Sequence, residues 1–371
     1  MSERIVIKEI CEVYDGPHAT PKKTVDGPVY LGIDAITDDG KINAKEFAHL
    51  SEEDYIKWTK RVTPQYGDIV FSYEATLGRY ALIPKDFYGC LGRRLAIIRN
   101  VSKDIDTLWL YYYFLSPEWK QFIQSKIIKG STVNRISVED FPTYTVPNIS
   151  IKVQRKIANI LSKIDEKIVL NNNINDNLEQ QIKTIFTFQF LQNANTEWKQ
   201  QSLAELSEMY QPKTISGKDL IAVGNYFVYG ANGIIGKYNQ YNHSESEIAV
   251  ACRGASCGSI QMTLPFSWIT GNAMVVKPHS NFPYREYLYY YLLAKNPNYL
   301  CSGSAQPQLT RENLTLYSLK VPSTTELNAF ENYAEKVRKI IIKNQQENIE
   351  FSTLRDWLLP MLMNGQATIS D

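Results

Sequence analysis

The chain has 371 residues, 44% hydrophobic and 21% charged, which describes a globular protein with room for two or three separate cores. No apolar run reaches the roughly 18 residues that span a bilayer, and Met1-Ser2-Glu3-Arg4 does not open a secretory signal, so a cytoplasmic protein is expected. A net charge of +1 excludes a strongly basic field, and five scattered cysteines (Cys11, Cys90, Cys252, Cys257, Cys301) without a Cys-x-x-Cys pair predict neither a disulfide framework nor a zinc site.

Residues 1–148 read as a mixed α/β module. Gly67-Asp68 precedes the strand-like run Ile69-Val70-Phe71-Ser72, and Leu95-Ala96-Ile97-Ile98 follows Arg93-Arg94. Such short, turn-punctuated runs suit a curved, mostly antiparallel sheet rather than a doubly wound one. Thr107–Leu115 reads as a helix, and its Tyr111-Tyr112-Tyr113 run, beside Leu, as packing against that sheet. Lys22-Lys23, Lys60-Arg61 and Arg93-Arg94 are candidate phosphate contacts, although such pairs are commonly just solvated.

After Pro147, the segment 149–194 carries apolar residues at Ile157, Ile160, Ile164, Ile168, Ile174, Leu178, Ile182 and Ile185, with no internal Pro or Gly. This predicts one long helix of coiled-coil type.

Residues 195–322 then repeat the first module. Ile7–Tyr14 returns as Leu203–Tyr210, Tyr111–Leu115 as Tyr289–Leu293, and the block opened by Gly130-Ser131-Thr132 as that opened by Gly303-Ser304-Ala305. The offset falls from 196 to 178 to 173 residues, so the second copy is trimmed but keeps its order. A repeat of this size is a domain, and a duplicated domain suits a quasi-two-fold partner such as duplex DNA. Ile248–Ala251 and Ala273–Val276 are the matching strands, and Arg285–Leu293 the matching helix.

The equivalent loops differ where the scaffold matches. Tyr73-Glu74-Ala75-Thr76-Leu77-Gly78-Arg79 stands against Cys252-Arg253-Gly254-Ala255-Ser256-Cys257-Gly258, and Thr132-Val133-Asn134-Arg135 against Ala305-Gln306-Pro307-Gln308. Arg, Asn and Gln can make paired hydrogen bonds to base edges. Candidate DNA contacts are therefore Lys22, Lys23, Tyr73, Arg79, Arg93, Arg94, Asn134 and Arg135 in the first module. In the second they are Asn225, Arg253, Ser256, Asn272, Gln306 and Gln308.

The segment 323–371 is a second long helix after Pro322, with Phe330, Tyr333, Val337, Ile340, Ile341, Phe351, Leu354 and Leu358 as its apolar residues, up to Pro360. With Ile157 at heptad position a, the series is Ile157, Ile164, Asn171, Leu178, Ile185. The offset of 173 gives Phe330, Val337, Asn344, Phe351, Leu358. Each series is apolar except for a central Asn, a residue that fixes register at a cost in stability. Antiparallel pairing is expected to bring Asn171 and Asn344 together.

Two α/β modules, each followed by such a helix, resemble the specificity subunit of type I restriction–modification enzymes. The helix text from Gln154-Arg155-Lys156-Ile157 to Asp165-Glu166-Lys167-Ile168, continued by Asn171–Asn175 and Leu178-Glu179, is similar to that family's central repeat. Gly67-Asp68-Ile69-Val70 and Arg253–Gly258 match its strand–loop motifs more weakly, and Glu74 stands where the family pattern has an Arg-Gly step. The resemblance implies an α+β fold: two repeated mixed α/β target-recognition domains separated by two long helices forming an antiparallel coiled coil. It also implies a split double-stranded DNA site and docking of two methyltransferase subunits, with restriction subunits added through them. S-adenosylmethionine, ATP and Mg would then belong to those partners and no cofactor to this chain. Lys156, Lys163, Ile157, Ile164, Asn171, Leu178, Val337, Asn344 and Leu354 are the expected docking and spacer residues. The rods would fix the number of unread base pairs between half-sites.

Catalytic motifs are missing. Asn281-Phe282-Pro283-Tyr284 departs from the Asn-Pro-Pro-Tyr of adenine methyltransferases and reads as a turn, and Gly230–Gly236 lacks phosphate-loop spacing. The four histidines (His18, His49, His243, His279) form no ligand or triad pattern, and most are expected at the surface. The reading is a non-catalytic DNA-recognition subunit. The alternatives are a self-contained methyltransferase or nuclease, and a coiled-coil adaptor that binds protein.

Overall fold

The computed structural model describes residues 3–367 apart from 131–132, 223 and 304–305. Ser131, Thr132, Ser304 and Ala305, from the repeated Gly-Ser block, thus lie outside the described residues. The chain forms two compact units: Met1–Ile168 with Ile349–Asp371, and Val169–Asn348. Each takes one globular module and a stretch of each long helix.

In chain order the first unit holds β1 (Arg4–Val6), β2 (Cys11–Asp15), β3 (Thr24–Leu31), β4 (Ala48–His49), α1 (Glu52–Trp58), β5 (Ile69–Ser72), β6 (Tyr80–Leu82), β7 (Gly89–Leu91), β8 (Leu95–Asn100), α2 (Thr107–Leu115), α3 (Pro117–Ser125) and β9 (Thr145–Pro147). The helix α4 (Ile151–Phe186) begins there and ends in the second unit, where a π-helical turn, Thr187–Gln192, extends it. The second unit continues with β10 (Lys199–Ser202), α5 (Leu203–Leu206), β11 (Ser207–Tyr210), β12 (Tyr226–Gly230), β13 (Gly233–Tyr238), β14 (Ile248–Ala251), β15 (Ile260–Met262), β16 (Trp268–Ile269), β17 (Ala273–Pro278), α6 (Arg285–Ala294), α7 (Arg311–Thr315) and β18 (Ser318–Val321). The last helix, α8 (Thr324–Met363), carries Pro360 inside its final turn rather than beyond its end.

Both modules have one topology. The four-stranded sheet β2-β8-β5-β6 corresponds to β11-β17-β14-β15, the three-stranded β4-β3-β7 to β13-β12-β16, and the pair β1-β9 to β10-β18. The four-stranded sheets are antiparallel throughout, as expected. Each small sheet adds one parallel pair, β3 with β7 and β12 with β16, which the sequence pattern did not anticipate.

The central strands are apolar without alternation because both their faces are buried. Ile69, Phe71, Ala96 and Ile98 point into the core that contains α2, while Val70, Leu95 and Ile97 point into a second cluster on the opposite face. In the second unit Ile248, Val250, Met274 and Val276 face α6, and Ala249, Ala273 and Val275 face away. A period of two thus feeds two cores from one strand.

The tyrosine runs are packing, as expected: Tyr111, Tyr112, Tyr113, Tyr289 and Tyr290 are all buried. Asp106 caps α2 by accepting from the Trp109 N–H at 2.9 Å, and Ser116 caps α3. The fully buried Gln154 on α4 accepts from the Asp106 N–H at 2.8 Å and donates to the Asp104 and Ile149 carbonyls. No sequence pattern marks that anchor.

Within each unit the stretches of α4 and α8 run antiparallel. Ile157, Ala158 and Leu161 share the first unit's core with Leu359, Leu362 and Met363. Ile182 and Phe186 share the second unit's core with Phe330, Ala334, Val337 and Ile341. Ile164 and Ile168 are buried, and Leu178 half-buried. Ile174, Ile340 and Leu354, expected in the seam, are exposed. The buried positions keep the seven-residue repeat, but the second seam position lies four residues after the first rather than three (Ile157 and Leu161, Ile164 and Ile168, Phe330 and Ala334, Val337 and Ile341). This turns Ile174, Ile340 and Leu354 out of the seam.

Asn171 and Asn344 do not pair with each other. Asn171 Nδ2 donates to Asn348 Oδ1 at 2.9 Å, and Asn344 Nδ2 donates to Asn175 Oδ1 at 2.8 Å. Under the offset of 173, each bond is the other with the two helices exchanged. The Asn positions were legible, but each has its partner one turn away. Asn348 donates onward to Asn172 at 2.8 Å, so the seam holds a polar ladder.

A tyrosine ties each module to the helices. Tyr112 donates to Asp165 at 2.6 Å, and Arg355 donates to the other oxygen at 2.8 Å. In the second unit Tyr290 donates to Glu179 at 2.7 Å, and Arg338 pairs with both Glu179 and the fully buried Glu286. Nearby, buried Glu331 accepts from the Glu286 and Tyr287 N–H groups at the start of α6.

One further expectation is corrected. Cys257 and Cys301 form a disulfide, 44 residues apart with Cα atoms 6.4 Å from each other. Spacing rules address neighbouring cysteines and do not see a contact made by loops. Of the histidines, His243 is the one buried, stacked on Tyr210 and hydrogen-bonded to it and to Asn242.

Replacing Asn175 alone by Leu strands Asn344 and is expected to cost about 1–3 kcal/mol, whereas replacing both by Leu recovers most of that loss. Urea unfolding of the four proteins in the cycle measures it. Burial raises the Glu331 carboxyl to about 7 despite the two N–H donors, which lower it. An acid raised above its unfolded value of 4.5 contributes stability at low pH and loses it as pH climbs through about 7. Thermal denaturation of the full chain should therefore show lower stability at pH 8 than at pH 5, with a smaller difference in Glu331→Gln.

Candidate nucleic-acid interface

The loops that follow β5 and β14 share backbone features, although the second is one residue longer. Ala75 and its counterpart Gly254 both sit in the left-handed region (φ 64° and 78°), as do Gly78 and Gly258 (φ 72° and 85°). A non-glycine residue there is strained, so Ala75 is held by its surroundings. Gly258 has a second constraint, since a Cβ would lie 2.7 Å from Asn298 Cα.

Each loop is stitched to two others. In the first unit the Tyr73 N–H donates to the Arg94 carbonyl (3.1 Å) and the Ile136 N–H to the Tyr73 carbonyl (2.8 Å). In the second unit the Cys252 N–H donates to the Asn272 carbonyl (2.9 Å) and the Leu309 N–H to the Cys252 carbonyl (2.9 Å). Bridges Glu74–Arg135 and Ile128–Arg135 match Arg253–Gln308 and Ser302–Gln308. Glu74, Arg94 and Arg135 therefore occupy the backbone positions of Arg253, Asn272 and Gln308. One frame carries two different sets of hydrogen-bonding side chains.

In the first unit Arg135 and Asn134 are exposed, while the Arg94 Nε lies 3.1 Å from Glu74 Oε1. Arg94 is itself in the left-handed region, at φ 74°. Lys23, Arg93 and Arg94 line one open recess of about 360 Å³ together with Thr20, Tyr30 and Glu46. Lys22 is exposed next in sequence. In the second unit Arg253, Asn272, Gln306 and Gln308 are all exposed, and Asn225 is exposed just ahead of β12.

Three candidates are engaged or partly covered within their own module. Tyr73 belongs to the core, and burial with Asp15 nearby raises its hydroxyl well above the usual range. Arg79 is held by Asp38 at 2.6 Å and by the Ile36 carbonyl at 3.0 Å. Ser256 is half-buried and accepts through its carbonyl from Ser259. A polar residue beside a strand looks the same in sequence whether it points out or in.

The buried acid at the head of each central strand also repeats. Asp68 takes two hydrogen bonds from Arg99 at 2.8 and 2.7 Å, and its counterpart Glu247 faces Lys277 at 3.7 Å. These pairs hold the strands from which the loops spring. The Asn281–Tyr284 segment is the expected turn before α6, with Phe282 buried. Among the described residues no group of His, Cys, Asp and Glu could hold a metal ion, and no helix is long and apolar enough to cross a membrane.

On the helices, Lys156 lies half-buried by an open hollow shared with Ile151, Lys152, Arg155 and Asn159. Lys163 is exposed and pairs with Glu166 at 2.6 Å. Sequence reasoning missed Trp357, which is 57% exposed one turn beyond Leu354 on α8.

Comparison with known proteins agrees with this geometry. The family model described as type I restriction modification DNA specificity domain matches twice, at residues 2–180 and 195–353. The EcoprrI type I restriction enzyme specificity subunit of Escherichia coli is 26% identical over 279 residues, covering 69% of this chain and 67% of that protein. The MjaIX specificity subunit of Methanocaldococcus jannaschii is 21% identical over 361 residues, 87% of this chain and 82% of that one. The crystal structure of the type I system S subunit from M. genitalium aligns with a TM-score of 0.61 at 16% identity, over 99% of this chain and 96% of the other. Nothing in these matches favours a self-contained enzyme or a protein-binding adaptor. The chain belongs to the type I restriction–modification DNA specificity family and is a specificity subunit, the non-catalytic component that recognises DNA sequence.

Proposed function

We propose that each module reads one half of a split, asymmetric double-stranded DNA site, with residues 1–148 and 195–322 as the two target-recognition domains. Glu74, Arg94 and Arg135 read bases in one half-site, and Arg253, Asn272 and Gln308 in the other. The observation that carries this is the shared pattern of main-chain stitches filled by different side chains. Arg and Gln or Asn reach guanine and adenine edges in pairs, and a carboxylate accepts from cytosine. Lys22, Lys23 and Arg93 supply phosphate contacts, and Asn134, Asn225 and Gln306 flank the readers. With a net charge of +1, the isolated chain binds DNA weakly and gains affinity in its assembly.

The helical segments 149–194 and 323–371 dock two methyltransferase subunits, and restriction subunits through them, in the cytoplasm. S-adenosylmethionine, ATP and Mg²⁺ act on those partners. Lys156 and Lys163 on α4 and the exposed Leu354–Trp357 pair on α8 supply the docking faces, an exposed Trp being a common interface anchor.

Methylation mapping in a host that expresses the chain with its methyltransferase tests the reading. Arg253→Ala and Gln308→Ala should each relax one half-site by about 1–3 kcal/mol of discrimination and leave the other intact, and Arg135→Ala should do the converse. If any of the three altered both half-sites or neither, the assignment would fail. Removing one heptad from each long helix is expected to change the number of unread base pairs while both half-sites persist.

A further inference from the structure

The disulfide lies between the two loops assigned to base reading in the second unit. Cys257 closes the loop that begins at Arg253, and Cys301 opens the hairpin that ends at Gln308. At the near end these loops are already joined by the Gly254 N–H to the Pro307 carbonyl at 3.0 Å. The sulfur bridge joins them at the far end. Both cysteines are half-buried, within reach of small thiols, whereas Cys11, Cys90 and Cys252 are fully buried. In the first unit the matching positions are Leu77 and Ile127, so its loops have no such bond available.

We propose that Cys257 and Cys301 form a reversible thiol–disulfide site whose state sets how sharply the second module discriminates bases. This rests on the base-reading assignment of the Arg253 and Gln308 loops. In a reducing compartment the pair starts as two thiols. A low-molecular-weight disulfide is the oxidant: one cysteine thiolate attacks it, giving a mixed disulfide and releasing one thiol. The second cysteine thiolate then attacks the protein sulfur of that mixed disulfide and expels the second thiol. One S–S bond breaks, one forms, and the two protons pass to the released thiols. The bridge fixes the two loops against each other before DNA arrives, which reduces the ordering cost of recognition. The first module keeps its discrimination unchanged in both states.

The test uses the full chain assembled with its methyltransferase subunits, S-adenosylmethionine and a randomised duplex library, with sequencing of the methylated products. Reactions run in dithiothreitol or after oxidised glutathione, and mass spectrometry of digests reports the Cys257–Cys301 crosslink. The expected result is a crosslink only after oxidation, with preference for the second half-site sharpened by about tenfold and the first unchanged. Cys257→Ser and Cys301→Ser should each hold the reduced behaviour under both conditions. A crosslink without a change in the second half-site, or no crosslink at all, overturns the proposal. Arg253→Ala in dithiothreitol separates the two levels: if it leaves the second half-site unaltered, the base-reading assignment itself has failed.

Discussion

Each module depends on a tyrosine hydroxyl held by a carboxylate that an arginine holds in turn. Tyr112, Asp165 and Arg355 do this in the first unit, and Tyr290, Glu179 and Arg338 in the second. The tyrosines lie on α2 and α6, helices with almost no polar face, which are stable only when covered on every side. The sheet covers one side, and stretches of α4 and α8 cover the rest. In both units α4 gives the acid and α8 the arginine. In the second unit the same arginine also pairs with the fully buried Glu286 of α6, a carboxylate that would be costly without it.

This explains why a compact unit is not a continuous stretch of sequence. Residues 349–371 fold with residues 1–168 because Leu359, Leu362 and Met363 close a core that Ile7, Trp109 and Phe141 begin. The asparagine ladder, Asn171 with Asn348 and Asn175 with Asn344, fixes how the helices are registered within the second unit. A seam of hydrocarbon alone would tolerate a slip of one turn, and the amides would not.

The groups that hold the loops and the side chains the loops expose are different atoms. Buried strands, the Asp68–Arg99 pair and main-chain stitches hold the loops, and none of these needs the exposed side chains. The exposed side chains at positions 135, 253, 272 and 308 can therefore change without unfolding the frame. A duplicated module can diverge in its loop side chains while its architecture stays constant.

Much of this was legible in the sequence. The repeat, the helices Thr107–Leu115 and the one beginning at Arg285, both long helices and their antiparallel sense follow from periodicity and offset. Those signals are local or self-similar and survive without knowledge of contacts. What the tertiary structure alone decided is which side chains meet. It placed Tyr73 in the core and Arg79 on Asp38, moved each seam Asn one turn along, exposed Leu354, and brought Cys257 to Cys301 across 44 residues. Side-chain direction and loop proximity depend on long-range packing, which a one-dimensional pattern does not record.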